Sequence, residues 1–239
     1  MEETYTTKAI VLNRQPFREN DSRVVVYSFE LGKMDLVARG TKKTLSKLAG
    51  LVEPISLIKT MVIKGRQYDY IGNVVSLESY YNIKNDFNKL LSAGQAIRIF
   101  NQLIKENLAD EKVFLLLIDF LNIINYSQPP EVNYNLISSY YNLKLLVCLG
   151  YQPELYYCLK CKKKIEPDSN RFDYANGGII CYKCGKINNS LTISENCIKV
   201  LRLVLDNNLD YCLKLKINNQ TEKEVNTTIK YFLDYNIKY

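Results

Sequence analysis

Histidine is absent from this 239-residue chain. Its absence removes Ser-His-Asp and Cys-His nucleophile pairs, H-E-x-x-H metal sites and every imidazole general base. Neither G-x-x-x-x-G-K-[ST] nor G-x-G-x-x-G occurs, so no phosphate-cradling loop is visible, and no carboxylate group stands apart from ordinary helix surface. The chain is therefore read as a non-enzyme. Long apolar runs are missing too: Val113 to Leu121 and Leu143 to Leu149 are short or carry Asp119 or Lys144, which excludes a membrane span. The opening Met1-Glu2-Glu3-Thr4 is acidic, with no apolar stretch behind it. No secretory signal is expected, and the chain is placed in the cytoplasm, where thiols stay reduced. There is no internal repeat and no low-complexity tract.

Against these absences stand seven cysteines, four of them strictly spaced. Cys158 and Cys161 form one C-x2-C, Cys181 and Cys184 a second, and 19 residues separate the pairs. A two-residue gap lets both sulfurs of a pair face one point from a tight knuckle, and a hairpin between pairs brings four thiolates around a tetrahedral Zn2+. Such a closed shell has a structural role. Disulfides would need an oxidising compartment; an iron–sulfur cluster would use the same four thiolates. Cys148, Cys197 and Cys212 lie in apolar runs and are expected to be small buried hydrophobes.

Length and a hydrophobic content of 47% suit two or three units with their own cores. The first eighty residues read as strands: Thr4 to Leu12, Arg23 to Phe29, Met34 to Arg39, Pro54 to Lys64 and Tyr68 to Leu77. Five short strands with a long connection between the third and fourth predict a Greek-key barrel of the OB type; an SH3-like barrel is the competing count. From Ile83 the period turns helical. One helix runs through Phe87, Leu91 and Ile97 to Ile104, and a second begins at Asp110-Glu111 and is broken by Pro129-Pro130. A third spans about Val132 to Leu149, ends at Gly150 and is held from continuing by Pro153. Helices resume after Thr192-Ile193-Ser194-Glu195, where Thr192 or Ser194 can cap, and Glu222 to Tyr235 closes the chain. The fold class is thus α+β. An OB-type barrel domain (1–80) precedes a helical domain (81–239) with a zinc module inserted at about 156–190.

The formal net charge is +7, which suits a polyanionic partner. Between Lys33 and Lys47 five bases, Lys33, Arg39, Lys42, Lys43 and Lys47, face one acid, Asp35. On an OB barrel such a loop makes a groove where cations follow a nucleic-acid backbone. Arg14, Arg18 and Arg23, around the first turn, extend the surface, and Lys160, Lys162, Lys163 and Lys164 offset the charge of a Zn(Cys)4 centre. The 19 tyrosines are spread through the chain and read as packing residues.

Several stretches carry a family resemblance. Glu19-Asn20-Asp21-Ser22-Arg23-Val24-Val25, Gly32 through Gly40, and Lys42 through Leu48 with Leu51-Val52-Glu53-Pro54 resemble the N-terminal domain of the bacterial recombination mediator RecO family. Leu149-Gly150-Tyr151-Gln152-Pro153-Glu154-Leu155, then Cys158 to Cys161 and Phe172 to Cys184, are similar to that family's helix exit and zinc module in the same order. The resemblance spans about residues 4–205. It implies a protein without turnover that binds single- and double-stranded DNA and anneals complementary strands. It further implies binding to the C-terminal tail of single-stranded DNA-binding protein, and action with RecR to load RecA. On the matched positions it makes Arg39, Lys42, Lys43 and Lys47 the first candidates for DNA contact, with Arg23 and Lys33 next. Neither the tail pocket nor the RecR contacts can be placed by residue. An RNA-binding or transcription accessory protein would share the barrel and the cysteines, and a scaffold would share the helices without nucleic-acid affinity.

Overall fold

The computed structural model describes residues 3–128, 133–185 and 188–238. Two compact units divide the chain, residues 1–126 and 127–239.

The first unit opens with β1 (Thr4–Phe17), β2 (Asp21–Ser28) and β3 (Gly32–Ala38), continues through a one-turn helix α1 (Lys47–Leu51), and returns with β4 (Leu57–Ile63) and β5 (Asp69–Glu78). The strands close a barrel in the order β1-β2-β3-β5-β4, with β4 pairing back onto β1. That order is the OB arrangement, and it decides against the SH3-like count. β1 is long enough to serve two neighbours. Thr4 to Ile10 pair with β4, and Ala9 to Phe17 pair with β2, with a register shift between Val11 and Asn13. A bulge there adds twist and bends the strand around the barrel. Alternation then fills the inside: Ala9 and Val11, Val24 and Val26, Met34, Leu36 and Ala38, and Ile58 and Val62 form one buried cluster with Ile71 and Val74. Leu48 and Leu51 of α1 pack on this cluster beside Val52, so the short helix plugs the barrel. Sequence periodicity treated this stretch as loop, because a single turn carries too few residues to show a period.

Three helices complete the unit: α2 (Tyr81–Lys84), α3 (Phe87–Leu103) and α4 (Glu111–Tyr126). The α3 start is fixed by Asp86, which accepts from the Lys89 backbone N–H at 2.9 Å. Tyr27, on the barrel's second face, packs edge-on to Phe100 at 4.9 Å and stacks against Phe114 at 6.2 Å, joining β2 to both long helices. The turn into β3 needs glycine. Gly32 has φ +74°, and a Cβ there would lie 2.4 Å from the Leu108 carbonyl.

The second unit is built on α5 (Tyr134–Cys148), α6 (Glu195–Asp206), α7 (Leu209–Cys212) and α8 (Asn219–Lys238), with strands β6 (Arg171–Asp173), β7 (Gly178–Ile180) and β8 (Ser190–Thr192) between α5 and α6. Ser194 caps α6, accepting from the Cys197 N–H at 3.2 Å, and Pro153 follows the α5 exit as expected. The expected Pro129-Pro130 break and the Val132 helix start lie outside the described residues. The small sheet runs β7-β6-β8 and is pinned to α8 by Phe172 against Phe232 at 5.6 Å. Cys197 and Cys212 are buried, whereas Cys148, on the last turn of α5, is only half-buried.

Candidate nucleic-acid interface and metal centre

The outer face of the barrel follows from register. Residues that alternate with the core cluster point outward, and pairing sets them side by side: Gln15 opposite Arg23, Arg23 opposite Val37, and Val37 opposite Tyr70. Phe17 lies opposite Asp21 in the neighbouring outward row, and Arg39 leaves β3 beside it. This corner is where three connections meet: the β1–β2 turn with Arg18, the β4–β5 turn with Arg66, and the basic loop after β3. Hydrogen bonds tie the loop to the first turn. The Gly40 N–H donates to Asp21 Oδ1 at 2.8 Å, the Lys42 N–H to the Asn20 carbonyl at 3.0 Å, and Lys42 Nζ reaches the Arg18 carbonyl at 3.4 Å.

The structure places the eight basic candidates in two roles. Arg18, Arg23, Arg39, Lys42, Lys43 and Lys47 are exposed. Arg23 forms an ion pair with Asp35 at 2.7 Å, and the hydrogen bond and charge of that carboxylate push its already high pKa up further. Arg14 and Lys33 are instead engaged by the protein itself. Arg14 donates to Ser22 Oγ at 3.2 Å, the Ala49 carbonyl at 2.7 Å and the Thr41 carbonyl at 3.4 Å, bracing the basic loop and α1 from beneath. Lys33 Nζ donates to the carbonyls of Asn101 at 2.7 Å and Ile104 at 3.4 Å, at the C-terminal end of α3. Carbonyls there lack helical partners and carry the negative end of the dipole, so the cation caps the helix.

Aromatic rings share the exposed corner, a feature that residue counting missed. Phe17 meets Tyr68 edge-on at 5.4 Å; the Arg18 guanidinium sits 5.1 Å from the first ring and 5.8 Å from the second. The Arg39 guanidinium lies 4.0 Å from the Tyr70 ring centre. Tyr68 and Tyr70 stand two residues apart, and that i, i+2 spacing on an extended segment is the signal that was available in the sequence.

In the second unit the four spaced cysteines converge. All four sulfurs lie within 4.8 Å of one another, with Cys158 to Cys184 at 3.8 Å and Cys161 to Cys181 at 3.7 Å. A tetrahedron with metal–sulfur bonds of about 2.3 Å has sulfur edges of about 3.8 Å, so the donor set fits a metal ion. Each knuckle has a local cause. The Lys162 N–H donates to the Cys158 carbonyl at 2.9 Å and its φ of 58° then turns the chain out of the knuckle, and Gly185 at φ 74° ends the 3-10 turn Tyr182–Cys184. Burial works against ionising Cys158, yet N–H groups of Cys161, Cys181 and Lys160 outweigh it and hold that thiol down at about 6. Cys184 is pushed up to about 12 by the sulfur of Cys181 and by desolvation. Four ionised thiolates this close would repel one another, and a bound metal cation would offset that charge. Lys160, Lys162, Lys163 and Lys164 are exposed around the site.

Fold and site together define an OB-fold protein with an appended helical unit carrying a four-cysteine metal site. The family models named Recombination protein O N terminal and Recombination protein O C terminal match residues 1–80 and 84–238. The chain belongs to the RecO family. A protein of Dehalococcoides mccartyi (strain BAV1) named DNA repair protein RecO is 29% identical over 226 residues, covering 95% of this chain and 88% of that protein. Proteins of the same name from Syntrophomonas wolfei and Alkaliphilus metalliredigens are 28% and 26% identical, each over 95% of this chain and over 88% and 91% of their own lengths. Among the described residues no helix is long and apolar enough to cross a membrane.

Proposed function

We propose that this chain is a DNA repair and recombination mediator that binds single- and double-stranded DNA and anneals complementary strands. With RecR, it helps load RecA onto DNA coated by single-stranded DNA-binding protein, whose C-terminal tail it engages. It does this without catalytic turnover, in the cytoplasm at the nucleoid. The observation that carries the reading is the barrel corner where Arg18, Arg39, Lys42 and Lys43, on connections that OB folds use for oligonucleotides, stand beside Arg23 on the outer face of β2, in a chain of this family.

Strand pairing is opposed by phosphate repulsion, and cations held between strands lower that barrier without reading sequence. Arg39, Lys42, Lys43, Lys47, Arg18 and Arg23 supply them in this reading, while Arg14 and Lys33 hold the surface in shape. Cys158, Cys161, Cys181 and Cys184 hold Zn2+, which fixes the loop carrying Lys160 to Lys164 and leaves no coordination position for substrate. The test is a fluorescence titration of single-stranded and duplex DNA over a salt series, followed by annealing of complementary strands. Arg39→Ala/Lys42→Ala/Lys43→Ala should weaken binding to all sequences alike and slow annealing. Unchanged affinity and annealing would refute the assignment.

A further inference from the structure

We infer that Phe17, Tyr68 and Tyr70 form a base-stacking site for unpaired nucleotides, and that Arg18 and Arg39 are its movable lids. The inference rests on the DNA-binding reading above and adds to it a preference for single strands with named residues behind it.

Three half-buried rings stand on the outward face, and each already has a flat cation against it. Arg18 covers the Phe17–Tyr68 pair at 5.1 and 5.8 Å, and Arg39 covers Tyr70 at 4.0 Å. A guanidinium and a nucleobase are both planar, and both pack against an aromatic face, so they compete for the same surface. Displacement of an arginine by a base is not a pure loss. The freed guanidinium is left next to the backbone of the nucleotide that replaced it, where it can take a phosphate through two parallel hydrogen bonds. Each exchange thus converts one ring–cation contact into a ring–base contact and a charge-assisted one.

Geometry restricts the partner. Tyr68 directly precedes β5 and Tyr70 is its second residue; Phe17 and Arg18 meet the first ring and Arg39 the second, and an extended i, i+2 spacing is roughly 6.6 Å. Successive stacked bases rise by about 3.4 Å, so neighbouring bases must part to occupy both rings. A single strand does this at small cost. A duplex keeps its base faces inside the stack and offers only its phosphates, so it can use the lysines of the loop but not the rings. The neighbouring acids support the division of labour: Arg23 is paired with Asp35 at 2.7 Å, whereas no carboxylate forms an ion pair with Arg18 or Arg39 among the described residues.

The experiment compares Phe17→Leu/Tyr68→Leu/Tyr70→Leu with Lys42→Ala/Lys43→Ala on matched single-stranded and duplex DNA over a salt series. Leucine keeps apolar contact at these half-buried positions. The ring variant should bind single strands at least tenfold more weakly, at unchanged salt slope, and leave duplex affinity within twofold. The lysine variant should flatten the slope on both substrates. Equal loss on both DNAs, or no loss on either, overturns the stacking site while the lysine result leaves the broader reading standing. A wild-type protein with no salt-dependent affinity for either DNA would instead sink that reading. Photocrosslinking of the unaltered protein to a 5-iododeoxyuridine strand covers the case of a misfolded variant. Adducts mapping to Phe17, Tyr68 or Tyr70 support the site, and adducts confined to other residues overturn it.

Discussion

Lys33 offers a sharp test, because the sequence puts it in a DNA-binding cluster and the structure gives its charge to a helix. Its ammonium donates to Asn101 and Ile104 carbonyls at 2.7 and 3.4 Å. Lys33→Met keeps most of the stem and removes the charge. A hydrogen bond from a charged donor contributes about 1.5–3 kcal/mol, and the interaction with the helix end adds a few tenths more. Lys33 is half-exposed, so solvent screening brings the expected loss to about 1–2 kcal/mol. For a chain of this size that is a fall in melting temperature of roughly 2–8 °C. DNA binding should keep its salt dependence, since no phosphate contact is lost. Lys42→Ala should behave in the opposite way. Its backbone hydrogen bond to Asn20 survives and only the long, exposed bond from Nζ to the Arg18 carbonyl is lost, so melting shifts little, while the log–log salt slope on single strands falls by about 0.7. Thermal melts and fluorescence anisotropy over a salt series measure both effects on the same preparations. If Lys33→Met flattened the slope as Lys42→Ala does and left melting untouched, the helix-capping argument would be refuted.

Two further predictions concern the second unit. Cys161→Ser should abolish binding of one Zn2+ per chain and lower the melting temperature, because metal affinity in such modules is coupled to folding; elemental analysis and melts with and without chelator decide it, and equal stability in both states would contradict a structural metal. The buried Cys197 thiol is pushed up from 9.0 to about 12 by burial, with the Glu224 carboxylate adding to the shift. The folded chain therefore keeps its proton above pH 9 where the unfolded chain loses it, so this group's stability contribution is complete below that pH and falls as pH rises. Urea midpoints should show a loss of about 1 kcal/mol from this residue between pH 9 and 10, absent in Cys197→Ala; parallel profiles for the two proteins would count against it.

The barrel and the metal centre were legible because both are written in local pattern. Val24 and Val26, then Met34, Leu36 and Ala38, alternate as an OB strand must, and the cysteine spacing already encodes two knuckles. The β1 extension to Phe17 was not legible. Arg14, Gln15 and Pro16 look like a turn until their pairing with Val24, Arg23 and Ser22 is seen. Arg14 and Lys33 defeated the reading for a related reason, since the acceptors that claim them lie 35 and 68 residues along the chain. Tyr68 and Tyr70 could not be told from the other tyrosines by composition, because what singles them out is a neighbour on another turn. α7 is one turn long, too short for a period, and its cap, Asn208 accepting from Tyr211 N–H at 2.9 Å, resembles any polar loop residue in sequence.

The register between β3 and β5 has a consequence for how the barrel comes together. Only Leu36 with Asp69 and Val37 with Tyr70 join these strands, in parallel, whereas every other seam is antiparallel and longer. The β1-β2-β3 meander and the β4-β5 hairpin are local structures, but this seam joins strands separated by the whole β3–β5 connection, so it carries the larger loop-closure cost. The barrel behaves as a curled sheet fastened by a two-rung clasp. Arg39 and Tyr70 stand over that clasp, so a strand of DNA held there would also hold the barrel shut.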